Sequence, residues 1–470
     1  MNPKQVVQRI KQERIESVDC RFLDFPGTWQ HCTYASSQIT ERSFEEGFGF
    51  DGSSVRGWDA INERDMLIVP ASETAVRDPF FATPTLALIC DVKDPVTRKT
   101  YSRDPRSIAR KAEQLLRDSG VAETASFGPE LEFFVFDRAS FDQSMGSAHY
   151  ELGSPEAVWG RGDRGPGNLG RAAPPHEGRF PCPPVDSLQD VRGAMCAALS
   201  AMGVAWESHH HEVATAGQCE IDLAHRDLLA MADGCMTARY AVRQSAAQHG
   251  LAATFMPKPL WEDNGSGMHT HFSLWRGAEN LFAGRRYAGL SDLAMHAIGG
   301  LLAHGRALCA FTNPTTNSYK RLRPGYEAPT RFCYSSRNRE AAIRVPVYNH
   351  RAESRRLELR CPDASVNPYL CFSALLMAAL DGIENKMDPG DPLDRGFGEL
   401  SAEQVGAIAR APRSLEEALE ALEADHAFLT RGGVFSREVL EGWVRYKRQT
   451  EVEPIDRRPH PYEFCLYFNV

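Results

Sequence analysis

The sequence has no CxxC pair and no tight grouping among its twelve cysteines, which run from Cys20 to Cys465. That excludes a zinc ribbon or a disulfide framework, and the thiols read as reduced and mostly buried, as in a cytoplasmic protein. No run of lysine and arginine is long enough to make a nucleic-acid surface, and the formal net charge of -9 argues against one as well. Apolar runs are short: the longest, around residues 370–380, falls well under the ~20 residues that span a bilayer. The N-terminal MNPKQVVQRIKQERIES is a charged amphipathic helix with neither an apolar core nor a cleavage site, so neither secretion nor membrane insertion is expected. There is no Walker A sequence, so any nucleotide is held another way. Two G-x-G-x-x-G matches, at 47–52 and 160–165, neither follow a strand nor open an apolar helix, and they read as coincidence. Arg161-Gly162-Asp163 is likewise no adhesion signal in such a chain.

What is present is ordinary globular composition, 42% hydrophobic and 24% charged over 470 residues, enough for two domains or one large enzyme core. After the first helix, residues 18–34 alternate around Pro26-Gly27 as a hairpin, 44–56 read as a loop, and 66–70 and 85–91 as strands. A small β-rich domain over 1–103 is the natural parse, with a helix at 104–119 opening a second domain, 104–470. There, strands recur at 125–136, 204–213, 219–223, 253–255, 267–275, 341–347 and 356–360, with helices near 188–202, 226–249, 291–308, 367–386, 414–429 and 436–451. The class is therefore α+β. Residues 153–184 are rich in glycine, proline and arginine without periodicity, a length of loop that is usually functional or disordered.

Several of these strands carry a charged face. In FMPKPLWEDNGSGMHTHFSLW, His269, His271 and Ser273 alternate with Met268, Thr270, Phe272 and Leu274, so two imidazoles and a hydroxyl share one side. The turn before them, Asn264-Gly265-Ser266-Gly267, lets backbone N–H groups approach a ligand. A lone H-x-H would more often be an edge strand with satisfied histidines. Here, however, Glu130 and Glu132 alternate with Leu131 and Phe133, Glu212 and Glu220 flank the Ala216-Gly217-Gln218 turn, and Arg356, Glu358 and Arg360 alternate with Leu357 and Leu359. Five glutamates and one histidine repel one another unless cations neutralise them. Hard oxygen ligands with a single imidazole select magnesium or manganese, and their number suggests at least two ions, the pattern of phosphate chemistry. Arg321, Arg339, Arg344, Arg356 and Arg360 supply bidentate groups for phosphate or carboxylate, whereas Arg351 and Arg355 read as solvated. Between the first two, residues 323–329 form a proline- and glycine-bounded loop carrying Glu327, a lid by its composition.

FDGSSVRGW, FGPELEFFVFD, HHEVATAGQCEIDL, the stretch at 255–275, NPTTNSYKRLRPGYEAP and RLELRCPDASVNPYL are together similar to the successive signatures of bacterial type I glutamine synthetases, in order over nearly the whole chain. The resemblance implies a β-grasp-like N-terminal domain, a larger catalytic domain on a curved, mostly antiparallel sheet, and a homo-dodecamer of two hexameric rings with active sites between subunits. It implies ATP-dependent ligation of ammonia to the γ-carboxyl of glutamate through a γ-glutamyl phosphate. One metal would sit on Glu132, Glu212 and Glu220, the other on Glu130, His269 and Glu358. Glutamate would be held by Asn264, Gly265, Arg321 and Arg360, and ATP would lie near Glu207, His271, Ser273 and Arg356, with Arg339 and Arg344 on the transferring phosphate. Asp51 of an adjacent subunit would deprotonate ammonium beside Ser54 and Glu212, and Glu327 would close the site.

Three positions depart from that pattern. Arg179 stands where a tyrosine is usual beside the ammonium pocket, Glu353 where a lysine near the nucleotide is common, and Phe397 where many relatives carry the tyrosine that is adenylylated. The last implies no control by adenylylation. Arg179 motivates a second reading, a ligase joining glutamate to a mono- or polyamine, and a third is a non-catalytic ring-forming paralogue; the intact acidic and arginine sets favour ammonia.

Overall fold

In a computed structural model, residues 1–58, 65–162 and 168–470 are described. The 160–165 glycine motif and Arg161-Gly162-Asp163 both run into residues outside this set. Two sheets organise the chain. The first has six strands, with Ser17–Leu23 paired antiparallel to Trp29–Ala35 and parallel to Thr85–Lys93. Segment 44–56, expected as a loop, instead contains the strand Phe48–Asp51, paired with Asp65–Pro70 and followed by a single tight turn at Gly52–Ser54. Two glycines in FGFDG hide that strand, because glycine lowers strand propensity.

The second sheet has ten strands and runs Trp206–His211, Gln218–Leu223, Thr124–Phe136, Met268–Arg276, Leu357–Leu359, Ala341–Arg344 and Arg331–Ser335 along its main path. Its pairs are antiparallel except the last, which is parallel. The alternation expected from the sequence holds: Leu131, Phe133, Met268, Phe272 and Leu357 are fully buried on one face. Beneath that face lie the long helices Leu228–Gln248 and Pro368–Glu384, and Phe127 stacks on Phe372 at 4.7 Å. Arg331–Ser335 and the C-terminal helix Pro461–Tyr467 were not anticipated from sequence. Neither was the hairpin of Arg138–Gln143 and Ala148–Gly153, mostly exposed on both faces and so without a hydrophobic period.

The helix expected over 291–308 breaks into Asp292–Ala303 and Gly305–Thr312. At the break His304 joins Asp381 (Nε2 to Oδ2, 3.0 Å) and Asp425 (Nδ1 to Oδ2, 2.8 Å) and stacks on Phe428. Burial alone would lower the His304 pKa, but the two carboxylates raise it above its usual value of 6.5. The stabilisation is therefore complete below the unfolded pKa near 6.5 and is lost as pH rises through the higher folded value. His304→Gln is expected to cost on the order of 1 kcal/mol at pH 6, with the deficit shrinking toward pH 9, read from urea midpoints at the two pH values. The 414–429 helix is similarly divided, into Leu415–Ala424 and Ala427–Thr430. Among the described residues no helix is long and apolar enough to cross a membrane.

Candidate active site

On the polar face of the second sheet, strand register brings the acids together. His269 lies opposite Glu130, Glu132 opposite Glu220, and His271 opposite Glu358. One group is Glu130, His269 and Glu358, with ligand atoms all within 4.8 Å of one another. Glu130 accepts from His269 Nδ1 at 3.0 Å and His271 Nε2 at 2.8 Å. Burial would raise the Glu130 pKa, yet these bonds hold it well below the usual carboxylate range. Glu358 is buried and takes Arg344 Nη1 at 2.5 Å and Arg360 Nη1 at 2.8 Å.

A second group contains Glu212 and Glu220 with His210. His210 faces inward because it pairs with Glu220 on the neighbouring strand, and sequence reasoning passed over it. Its position two residues before Glu212 in HHHE was the available signal. Asp222, opposite Glu130, likewise lies within ligand distance of Glu130 and Glu220 and was not anticipated. Glu132 adjoins this group: burial and then Glu212 raise its pKa, and it accepts the Gly267 N–H at 2.7 Å. Glu220 is pushed well above the carboxylate range by burial, Glu212 and Glu132, and its Oε2 has no hydrogen-bond partner. A buried, orphaned carboxylate oxygen among hard oxygens suits a divalent cation.

Arg179 points into this group, donating from Nε to Glu212 Oε1 at 3.0 Å and lying 4.0 Å from Glu220 Oε2. Its orientation, open in the sequence, is thus inward.

The arginines line one border. Arg321 is buried and donates to the carbonyls of Cys361 and Arg360. Its approach explains one glycine of the NGSG turn, since a Cβ on Gly267 would sit 2.5 Å from Arg321 Nη2; the other is set by the backbone, a Cβ on Gly265 falling 2.4 Å from the Pro257 carbonyl. Arg360 is buried, reaches the Glu327 carbonyl at 3.3 Å, and leaves its Nε unpartnered. Glu327 itself is exposed on the 323–329 loop, in the left-handed region at φ 55. A non-glycine residue held there stores backbone strain, which fits a segment with a conformational task. Lys258, also unanticipated, lies with its Nζ 3.9 Å from the centre of the Tyr326 ring, and burial lowers its pKa to about 8.

Other expected residues fall as follows. Asn264 is buried and bonded to His176 Nδ1 at 2.9 Å. Arg356 donates to His271 Nδ1 at 3.0 Å, and the buried Ser273 hydroxyl accepts from Trp275. Glu207 and Arg339 are exposed, Glu207 on the outermost strand and Arg339 in the turn before Ala341. Asp51 and Ser54 belong to the first sheet and the turn after it, not to the sheet that carries the acids. Glu353 is exposed, and Phe397 is half-buried with its N–H on Glu340.

The residues 14–95 match the family model for the β-grasp domain of glutamine synthetase, and 102–467 match the model for its catalytic domain. The chain belongs to the glutamine synthetase family. It is 51% identical to the glutamine synthetase of Aquifex aeolicus and 50% identical to that of Nostoc, covering 100% of this chain and 99% of each relative. Among solved structures it is similar to Plasmodium falciparum glutamine synthetase at TM-score 0.90 and to a GmaS/ADP complex at 0.81. Each is 28% identical, and each match covers 99% of both chains. The enzyme is thus a glutamate–ammonia ligase that forms glutamine, with a β-grasp domain followed by the catalytic domain, in a family that uses ATP and divalent metal.

Proposed function

We propose that the chain makes glutamine by transferring the ATP γ-phosphate to the glutamate side-chain carboxylate and letting ammonia attack the resulting acyl phosphate. The observation that carries this is the orphaned Glu220 oxygen within a dense carboxylate face bordered by buried arginines. Glu132, Glu212 and Glu220 would hold one magnesium or manganese ion, with His210 beside them, and Glu130, His269 and Glu358 a second. Such ions would offset charge as the phosphate moves.

The chain's own groups divide the remaining work. Arg321 and the unpartnered Nε of Arg360 take the glutamate carboxylate, while the Asn264-Gly265 turn approaches its other end. His271, Ser273, Arg356 and Glu207 line the nucleotide side; that there is a nucleotide to hold is supported by a similar solved structure, GmaS, which is in complex with ADP. Arg344 and Arg339 stabilise the equatorial oxygens of the transferring phosphate. Asp51, with Ser54 and Glu212, takes the proton from ammonium. Asp51 and Ser54 stand on the other sheet, and in this reading they serve the site of a neighbouring subunit in a ring. The exposed apolar C-terminus, with Phe464, Leu466, Tyr467 and Phe468, offers a second contact, and two stacked hexamers satisfy both. Division between the two domains falls at 103/104, where Asp104 caps the helix Pro105–Ser119. Twelve free cysteines fit the cytoplasm.

Arg179 does not exclude ammonium. At about 4 Å a lone cation would repel it by ~4 kcal/mol at intermediate dielectric, but Arg179 is not alone: Glu212 accepts from it and offsets its charge. The test is phosphate release from ATP with glutamate and magnesium, comparing ammonium with mono- and polyamines and identifying products by mass. Fastest turnover with ammonium, yielding glutamine, supports the reading; a faster γ-glutamyl amide overturns it.

Glu327→Ala is expected to leave glutamate binding within about twofold while lowering glutamine yield per ATP roughly tenfold or more, because water then reaches the acyl phosphate. The check is the ratio of phosphate released to glutamine formed.

A further inference from the structure

Buried arginines in this chain are, as a rule, paired: Arg21 with Asp19 and Asp78, Arg106 with Asp91 and Asp233, Arg192 with Asp186. Arg321 in the active site departs from it, bonding only to backbone carbonyls, and so does Arg239. It is 6% exposed, donates to the Val366 carbonyl and weakly to the Met236 sulfur, and leaves its Nε with no partner. Burial without a carboxylate lowers its pKa to about 10. One helical turn on, Arg243 sits over the Phe255 ring at 5.3 Å, exposed, with no ion pair among the described residues. Two like charges at i and i+4 repel, so neither helps the other.

Both line a cavity of about 490 Å³. One wall is a single face of the helix Leu228–Gln248, with Met236, Arg239, Tyr240, Arg243 and Gln244 at helical spacing. The opposite wall is the turn at Pro26–Trp29 of the β-grasp domain, where Trp29 packs on Tyr240 at 5.9 Å. The site is separate from the active site: Phe255, beneath Arg243, packs against Phe133 at 5.4 Å, and Phe133 points to the side of the sheet opposite Glu132. A ligand-sized space with aromatic walls, an unpaired buried guanidinium and a second one at its mouth matches an anion with an apolar body.

We propose that this cavity between the β-grasp domain and the catalytic domain binds a small organic anion, its carboxylate or phosphate group held by Arg239 and Arg243 and its apolar part by Trp29 and Tyr240. The test is isothermal titration of the full-length protein with benzoate, against benzyl alcohol as the neutral counterpart. One benzoate per chain is expected, and no uptake of the alcohol. Arg243→Glu, an exposed substitution that leaves the core intact, is expected to weaken benzoate at least tenfold, and Arg239→Met to abolish it. Arg360→Gln, in the active site, is expected to leave it unchanged. No uptake of benzoate, equal uptake by the Arg243→Glu protein, or loss of uptake in the Arg360→Gln protein overturns the proposal.

Discussion

Replacing Glu358 with glutamine is expected to lower glutamine synthesis by about 10²–10³-fold, the usual cost of removing one electrostatic group aimed at a reacting centre. Glu358 is the hub of its group: it takes Arg344 on one oxygen and Arg360 on the other, and its Oε1 lies 3.9 Å from His269 Nδ1. Burial would raise its pKa, but His269 and Arg360 keep it ionised. Glutamine preserves the shape and loses the charge, so Arg344 and Arg360 are left without their counterion and turn away from the places the proposed function gives them. The fold has little reason to change, since Leu357 and Leu359 pack the other face of the same strand. Steady-state synthesis and circular dichroism, measured together, check this: activity within tenfold of the parent, or loss of the folded spectrum, would remove Glu358 from the role assigned to it.

Arg106→Met is expected to destabilise the protein by roughly 3–5 kcal/mol, as when one member of a buried ion pair is removed. The side chain is 1% exposed at the start of the helix Pro105–Ser119 and forms a fork on Asp233 at 3.0 and 2.9 Å. Its remaining nitrogen meets Asp91 of the first sheet at 2.5 Å, and Tyr369 donates to the same Asp233 at 2.6 Å. One guanidinium thus ties the β-grasp sheet to two helices under the catalytic sheet. Methionine fills the volume but leaves Asp233 with Tyr369 alone and Asp91 with Arg110 alone, so the charge between the two sheets is lost. Urea unfolding of the assembled enzyme measures the loss; a shift worth under 1 kcal/mol would show that water or rearrangement replaces the arginine.

How far the site was legible follows from periodicity. Alternation is local, so Glu130 with Glu132, His269 with His271, and Arg356 with Glu358 and Arg360 could be placed on one face before any fold was known. Which strands lie side by side is not local. His210 emerged as a site residue only through its register with Glu220, and Asp222 through its register with Glu130. Among the three histidines at 209–211, the spacing of two from Glu212 singles out His210, but that counts only once Glu212 itself is known to face the site. Arg179 sits in an irregular stretch without any period, so its direction depended on where Glu212 came to rest. In the fold, the long amphipathic helices were readable and the exposed hairpin at 138–153 was not, because a ribbon that buries neither face leaves no hydrophobic trace. The helix break at His304 depended on the distant partners Asp381 and Asp425.

Whether the polar face of the catalytic sheet holds two divalent ions is decided by manganese binding followed by electron paramagnetic resonance on the purified enzyme. Two ions per chain are predicted for the parent, falling to one in Glu358→Gln, with the group around Glu212 and Glu220 keeping its own. One ion or none in the parent, or two in the variant, would contradict the account.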